Sequence, residues 1–151
     1  METKIRELLL LQLEMLIERS VATKELVEDA DFEKLQAARL ILDTAYVYAP
    51  TLAELSRKVS LNEFKLKKGF KACFGTTVKS YIIKLRMERA QVLFKSKAVS
   101  VSDVAYQCGY KDVSHFSAAF KAFYGSSPLK FKINWQHLSN AWLAGLLLLG
   151  I

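Results

Sequence analysis

In IRELLLLQLEMLIERS (Ile5 to Ser20), Ile5, Leu8, Leu9, Leu13 and Leu16 fall at helical spacing, which predicts an amphipathic helix. Leu10, Leu11 and Ile17 widen its apolar stripe beyond what one neighbour would cover, and two readings follow: pairing between chains, or contact with the rest of the same chain. A second amphipathic helix is predicted over DFEKLQAARLILDTAYVYA (Asp31 to Ala49), with Asp31 as N-cap and Pro50 as stop. A polar link around Lys24 to Ala30 joins the two. Further on, Val78, Tyr81, Ile82, Leu85 and Leu93 share a stripe in TVKSYIIKLRMERAQVLF (Thr77 to Phe94), predicting one long helix.

The sequence on either side of that long helix repeats. FKACFGTT (Phe70 to Thr77) recurs as FKAFYGSS (Phe120 to Ser127), an offset of fifty. Upstream the offset is forty-nine, where Thr51-Leu-Ala-Glu54 matches Ser100-Val-Ser-Asp103. Each of these is a capping box, in which a hydroxyl accepts from the backbone three residues on and the acid reaches back. After each box the pattern predicts a short helix (Leu52 to Val59; Val101 to Cys108), a turn, and a second helix capped by Asn62 or Asp112 that ends at Gly75 or Gly125. The offset changes inside the turn, where Val59-Ser-Leu-Asn62 becomes Cys108-Gly-Tyr-Lys-Asp112. Two helix-turn-helix units, at about 53–74 and 101–124, are therefore expected on either side of a connecting helix at about 77–94. The fold class is all-α. Six Gly and two Pro in 151 residues leave little turn chemistry for a sandwich or barrel.

At 100° per residue, each unit's second helix has two faces. Leu66, Gly69, Phe70 and Cys73 share one side of the first, and Phe64, Lys67, Lys68 and Lys71 project from the other. In the second unit Phe116, Ala119, Phe120 and Phe123 form the core side, while Ser114, Ser117, Ala118 and Lys121 project. Gly69 is costly in mid-helix, by about 1 kcal/mol relative to Ala. Close helix packing accounts for it, since Ala119 holds the same position in the repeat. Cys73 and Cys108 read as packed thiols. Arg86 and Arg89 suit either phosphate or an intramolecular pair with Glu88 or an acid upstream.

Charge divides the chain along the same lines. The total of +7, with a pI near 9.4, makes a polyanion the first partner to consider. Residues 1–49 carry six basic and ten acidic side chains, net −4; residues 50–132 carry sixteen and five, net +11; residues 133–151 carry neither. This gives a helical lead (1–49), a basic body (50–132) and an apolar tail (133–151). The tail ends in AWLAGLLLLGI, about eleven residues against the roughly twenty a membrane helix needs, so no membrane partner is expected. Docking on the lead, self-association and an altered reading frame are its open explanations. Two cysteines thirty-five residues apart suit a reducing compartment, and the N-terminus lacks signal-peptide character, which points to the cytoplasm. No nucleophile with a paired base, no carboxylate pair and no phosphate-binding Gly loop is seen, so an enzyme is the weakest class.

The body, from about Pro50 to Lys132, resembles the AraC/XylS family of bacterial transcription regulators, and VSVSDVAYQCGYKDVSHFSAAFKAFYGSSPLKF carries the family signature with hardly a break. LNEFKLKKGFKACFGTTV (Leu61 to Val78) is similar to the siderophore-responsive branch related to the pyochelin regulator. The resemblance implies binding of double-stranded DNA, with the two second helices in successive major grooves. It also implies RNA polymerase as a partner, nucleoid association, and no cofactor or metal. Carried over residue by residue, Phe64, Lys67 and Lys68 read bases in the first unit, and Ser114, His115, Ser117 and Ala118 in the second. Lys65, Lys71 and Lys121 are phosphate contacts. Ala118 stands where the first unit has Lys68, so the first helix is expected to supply most of the discrimination.

Members of that branch are about twice this length, with a sensing domain that residues 1–49 could not form. The lead therefore reads as a remnant of an interdomain region, and the chain as either a short stand-alone regulator or the C-terminal part of a longer one. Siderophore responsiveness is not transferred, although iron-uptake genes would be the targets if the branch holds. A homodimer through the lead helices is one expectation. A contrasting expectation is a helical interaction protein whose body binds nucleic acid only loosely.

Overall fold

The structure, a computed structural model of the chain, describes residues 2–25, 29–95, 99–135 and 137. Among these there are eight helices and no strand. They are α1 (Glu2–Glu25), α2 (Asp29–Ala45), α3 (Leu52–Lys58), α4 (Glu63–Phe74), α5 (Val78–Phe94), α6 (Val101–Gln107), α7 (Val113–Tyr124) and α8 (128–135). The described residues fall into two compact units, those within Met1–Thr44 and Pro50–Val78 and those within Ala45–Ala49 and Lys79–Ile151. The expectations for residues 138–151, most of the apolar tail, lie outside the described residues.

Among the described residues of the first unit, the buried side chains include Leu35, Ala38 and Leu42 of α2, Leu55 of α3, and Leu66 and Phe70 of α4. Gly69 is explained by the approach of α2, because a Cβ there would lie 2.7 Å from Leu35 Cδ1. Arg39 of α2 lies over the Phe74 ring at 5.3 Å. The helix predicted from Asp31 to Ala49 already includes Asp29 and stops at Ala45. Asp31 is consequently inside the helix and not its N-cap.

In the second unit the early end of α2 finds its cause. Arg86 of α5 donates to the carbonyls of Tyr46 (2.9 Å) and Val47 (3.1 Å) and lies over the Tyr110 ring. Residues 46 and 47 thus give their carbonyls to Arg86, and the helix ends before Pro50 could stop it. The partner of Arg86 is backbone of the lead, neither Glu88 nor an acid.

The aromatic core of this unit joins four helices. Phe94 meets Phe120 edge-on at 5.5 Å, Phe120 meets Phe131 of α8 at 5.3 Å, and Phe116 lies 5.7 Å from Phe120. Met87, Ala90, Val104, Ala105 and Cys108 close around them, and Tyr124 donates its hydroxyl to the Met87 carbonyl. Burial pushes the Cys108 thiol up to about 11 and raises Cys73 as well. Both thiols therefore stay protonated at neutral pH, as packed cysteines do. Phe123 is the exception to the predicted core face, being 44% exposed. It lies three residues past Phe120 in the last turn of α7, where the aromatic cluster takes up its neighbour Tyr124.

The buried positions of α5 differ between its two ends. Val78 and Tyr81, on the predicted stripe, are buried near its start, whereas Met87, Ala90 and Phe94 are buried further along. At 100° per residue these two sets lie on opposite faces. One stripe could not describe such a helix, whose buried face changes along its length.

Candidate nucleic-acid interface

Each helix-turn-helix is fixed by the same local chemistry. Thr51 Oγ1 accepts from the Glu54 N–H (3.3 Å), and the Glu54 carboxylate accepts from the Thr51 N–H (2.7 Å). Ser100 and Asp103 repeat the arrangement at 3.0 and 3.2 Å. α4 and α7 start alike, with Asn62 Oδ1 accepting from the Lys65 N–H and Asp112 Oδ1 from the His115 N–H. Both end at left-handed glycines, Gly75 (φ 69°) and Gly125 (φ 74°). The two capping boxes, both N-caps and both glycine ends follow the sequence prediction.

The acids in these caps have carboxyls held below the usual range by the hydrogen bonds they accept: Thr51 on Glu54, Ser100 on Asp103, and the His115 N–H on Asp112. A depressed folded pKa stabilises the fold above the unfolded value, and that stability is lost as pH falls through the folded value. Thermal unfolding should therefore be flat from neutrality to about pH 5 and decline below about pH 4. Replacing both Thr51 and Ser100 by alanine should shrink that acid-dependent decline.

The turns place the second helix of each unit. After α3 and α6 the N–H groups of Leu61 and Tyr110 donate back to the carbonyls of Ser56 and Ala105, both at 3.0 Å. This six-to-one bond closes the helix end around a residue of positive φ. That residue is Ser60 (φ 54°) in the first unit and Gly109 (φ 81°) in the second. Gly109 has a further constraint, since a Cβ on it would collide with the Val47 carbonyl. Gly109→Ala is expected to destabilise the fold by about 2–4 kcal/mol through strain and collision. Ser60→Gly should be stabilising by up to about 1 kcal/mol. Urea denaturation of the two variants measures both.

The faces of α4 and α7 are as the angular arithmetic predicts, apart from Phe123 and Ser117. In α4, Leu66 and Phe70 are fully buried, while Phe64, Lys67, Lys68 and Lys71 are exposed together. Phe64 is 72% exposed, a large aromatic ring on a basic face with no core to fill. Lys67 reaches Glu63, one turn back, at 3.8 Å. Such a solvated pair contributes little and yields readily to a competing anion. In α7, Phe116 and Phe120 are buried, Ser114, His115, Ala118 and Lys121 are exposed, and Ser117 is half-buried.

Lys65 is engaged differently. Its Nζ lies 2.8 Å from Asp31 Oδ2 of α2, and Lys34 Nζ lies 3.8 Å from the other oxygen of the same carboxylate. The hydrogen bond from Lys65 is the main reason the Asp31 carboxyl is held below its ordinary range. Sequence reasoning missed Asp31, because nothing local marks an acid thirty-four residues before its partner.

It also missed α8, although the repeat contained the signal. Ser127, the counterpart of Thr77, accepts from the Lys130 and Phe131 N–H groups, and Pro128 occupies the first helical position. Among the described residues no group of His, Cys, Asp and Glu could hold a metal, and no helix is long and apolar enough to cross a membrane.

Two capped helix pairs with matching exposed second helices, separated along the sequence by a long helix, define a duplicated helix-turn-helix DNA-binding domain. A family profile described as a helix-turn-helix domain matches residues 55–133. The chain belongs to this helix-turn-helix domain family. It is 29% identical over 126 residues to the transcriptional activator RhaS of Escherichia coli, covering 83% of this chain and 45% of RhaS. Among solved structures it is similar to the C-terminal domain of the two-component response regulator yesN from Fusobacterium nucleatum, with TM-score 0.60 and 30% identity over 64% of this chain and 95% of that one.

The fold is shared with a Chromobacterium violaceum regulator described as having an AraC-type DNA-binding domain (TM-score 0.62, 21% identity, 68% and 92% covered). It is shared too with the DNA-binding domain of AdpA, solved in complex with a target DNA (TM-score 0.59, 21% identity, 73% and 96% covered). The chain spans less than half the length of the curated relatives it matches.

Proposed function

We propose that the chain binds double-stranded DNA sequence-specifically and regulates transcription by placing α4 and α7 in successive major grooves. The observation that carries this reading is the exposed face of α4, where Phe64, Lys67 and Lys68 stand opposite the fully buried Leu66 and Phe70. Lysine can donate to guanine O6 and N7, and Phe64 can lie against a thymine methyl. In α7, Ser114, His115, Ser117 and Ala118 offer short side chains and one imidazole, so that helix contributes less base discrimination. Lys71 and Lys121 contact phosphate, which positions the helices without reading sequence. The complex of AdpA with its target DNA supports the same use of this fold.

RNA polymerase would be the partner through which a promoter-bound regulator acts, and such a protein works in the cytoplasm on the nucleoid. Iron-uptake genes as targets rest on the resemblance of Leu61 to Val78 alone. Titration of a selected duplex and a random duplex across salt concentrations tests the reading. Tighter binding of the selected duplex at every salt is expected; equal affinities would instead support a helical interaction protein that holds nucleic acid loosely.

A second copy of the chain is the partner proposed for α1. All side chains from residue 4 to 15 are exposed, and Ile5, Leu8, Leu9, Leu10, Leu11, Leu13 and Met15 are 56–69% exposed. A contiguous apolar surface of this kind marks an interaction site. Sedimentation equilibrium should find a dimer that Leu9→Glu with Leu13→Glu converts to monomer. A natural chain that sediments as a monomer would refute the pairing.

A further inference from the structure

In the free protein the ammonium of Lys65, in the first turn of the base-reading helix α4, is 2.8 Å from a carboxylate oxygen of Asp31 on α2. The Asp31 side chain is only 16% exposed, whereas that of Lys65 is 51% exposed. Asp31 and Leu35 are one turn apart on α2, and Leu35 lies against Gly69 of α4, one turn on from Lys65. Its neighbours Phe64, Lys67 and Lys68 point to solvent. We propose that Asp31 is an internal substitute for a DNA phosphate, which keeps Lys65 off the backbone of bound duplex and so sets the affinity of the first helix-turn-helix below what its lysines could provide. The inference rests on the DNA-binding reading above and replaces the phosphate contact expected of Lys65 from its position alone.

The physical basis is a competition between two anions for one cation. A phosphate oxygen and the Asp31 carboxylate each carry one negative charge, but the carboxylate is intramolecular and already positioned, so it competes at a high effective concentration. An exposed ion pair of two flexible side chains would yield to DNA, as the Lys67–Glu63 pair at 3.8 Å should. The Asp31 pair has one partner fixed and mostly shielded, and it has a second cation, Lys34, at 3.8 Å. Movement of α2 would release Lys65, so the position of this helix controls one phosphate contact.

Salt dependence counts such contacts, because each phosphate neutralised by a lysine releases about 0.9 counterion and changes the slope of log K against log salt by that amount. With the natural chain and a random-sequence duplex, Asp31→Asn is expected to steepen the slope by about 0.9 and to tighten binding roughly fivefold to tenfold near 0.1 M salt. Lys65→Ala in the natural chain should leave the slope unchanged. The double variant Asp31→Asn with Lys65→Ala should return to the natural slope. Glu33→Gln, which removes a charge from the exposed side of the same helix, should tighten binding without steepening it. Thermal unfolding of each variant checks that the fold persists.

The proposal is overturned if Lys65→Ala alone flattens the slope by about 0.9, since Lys65 would then already be on phosphate. It is equally overturned if Asp31→Asn changes neither slope nor affinity, or if Glu33→Gln steepens the slope as much. Absence of salt-dependent duplex binding by the natural chain would bring down the DNA-binding reading and this inference with it, an outcome distinct from a normal slope that Asp31→Asn fails to move.

Discussion

Replacing Lys67 and Lys68 together by alanine is expected to weaken binding to a selected duplex by on the order of a hundredfold or more, because each good base contact discriminates by about 1–3 kcal/mol. The loss should fall mostly on specific binding, so that affinity for random duplex declines far less. Both side chains are exposed beside Phe64 on the face of α4 opposite its buried residues, and removing them disturbs no core. Replacing Ser114, His115 and Ser117 by alanine is expected to leave most of the preference for the selected duplex in place. Competition binding with the two duplexes measures both variants. Preference that survives the first and disappears in the second would reverse the ranking of the two helices.

Phe120→Ala should have the largest effect on stability, a loss of about 3–5 kcal/mol. Phe120 is fully buried and its ring meets those of Phe94, Phe116, Tyr124 and Phe131, so the truncation leaves a hole where α5, α7 and α8 meet. A loss of that size is a large part of the stability of a small domain. Phe123→Ala is the control. At 44% exposure its ring is only partly in the core, and about 1 kcal/mol or less is expected. Urea denaturation separates them, and similar losses for the two would mean that the aromatic core is not organised around Phe120.

What the sequence predicted correctly was local or repeated. A hydroxyl three residues before an acid, an Asn or Asp before a helical stripe and a glycine after it each solve the problem of unpaired backbone groups at a helix end. They do so within a few residues, and each occurs twice here. The faces of α4 and α7 were legible for the same reason, since the 3.6-residue period sorts Leu66 and Phe70 from Lys67 and Lys68 without reference to any other helix. The turn could also be located, because the two copies of the repeat change offset just after Leu61 and Tyr110, where the second copy has Lys111 in addition.

What was missed depends on distant partners. α2 stops at Ala45 because Arg86, about forty residues later, takes the carbonyls of Tyr46 and Val47. Asp31 is no cap because α2 already includes Asp29 and Ala30, and its carboxylate meets Lys65 and Lys34 instead. α5 buries one face at its start and the opposite face further along, which a single stripe averages away. Phe123 leaves the core because Tyr124 enters the aromatic cluster beside it.

Selection of bound sites from a pool of random duplex, using the whole chain, tests the central claim most directly. Enrichment is expected of a site with two half-sites about one helical turn, roughly 10 base pairs, apart. The stricter base preference should lie in the half-site whose enrichment is lost with Lys67→Ala and Lys68→Ala. Recovery of a pool no different from its input, at salt concentrations where the chain still binds duplex, would contradict it.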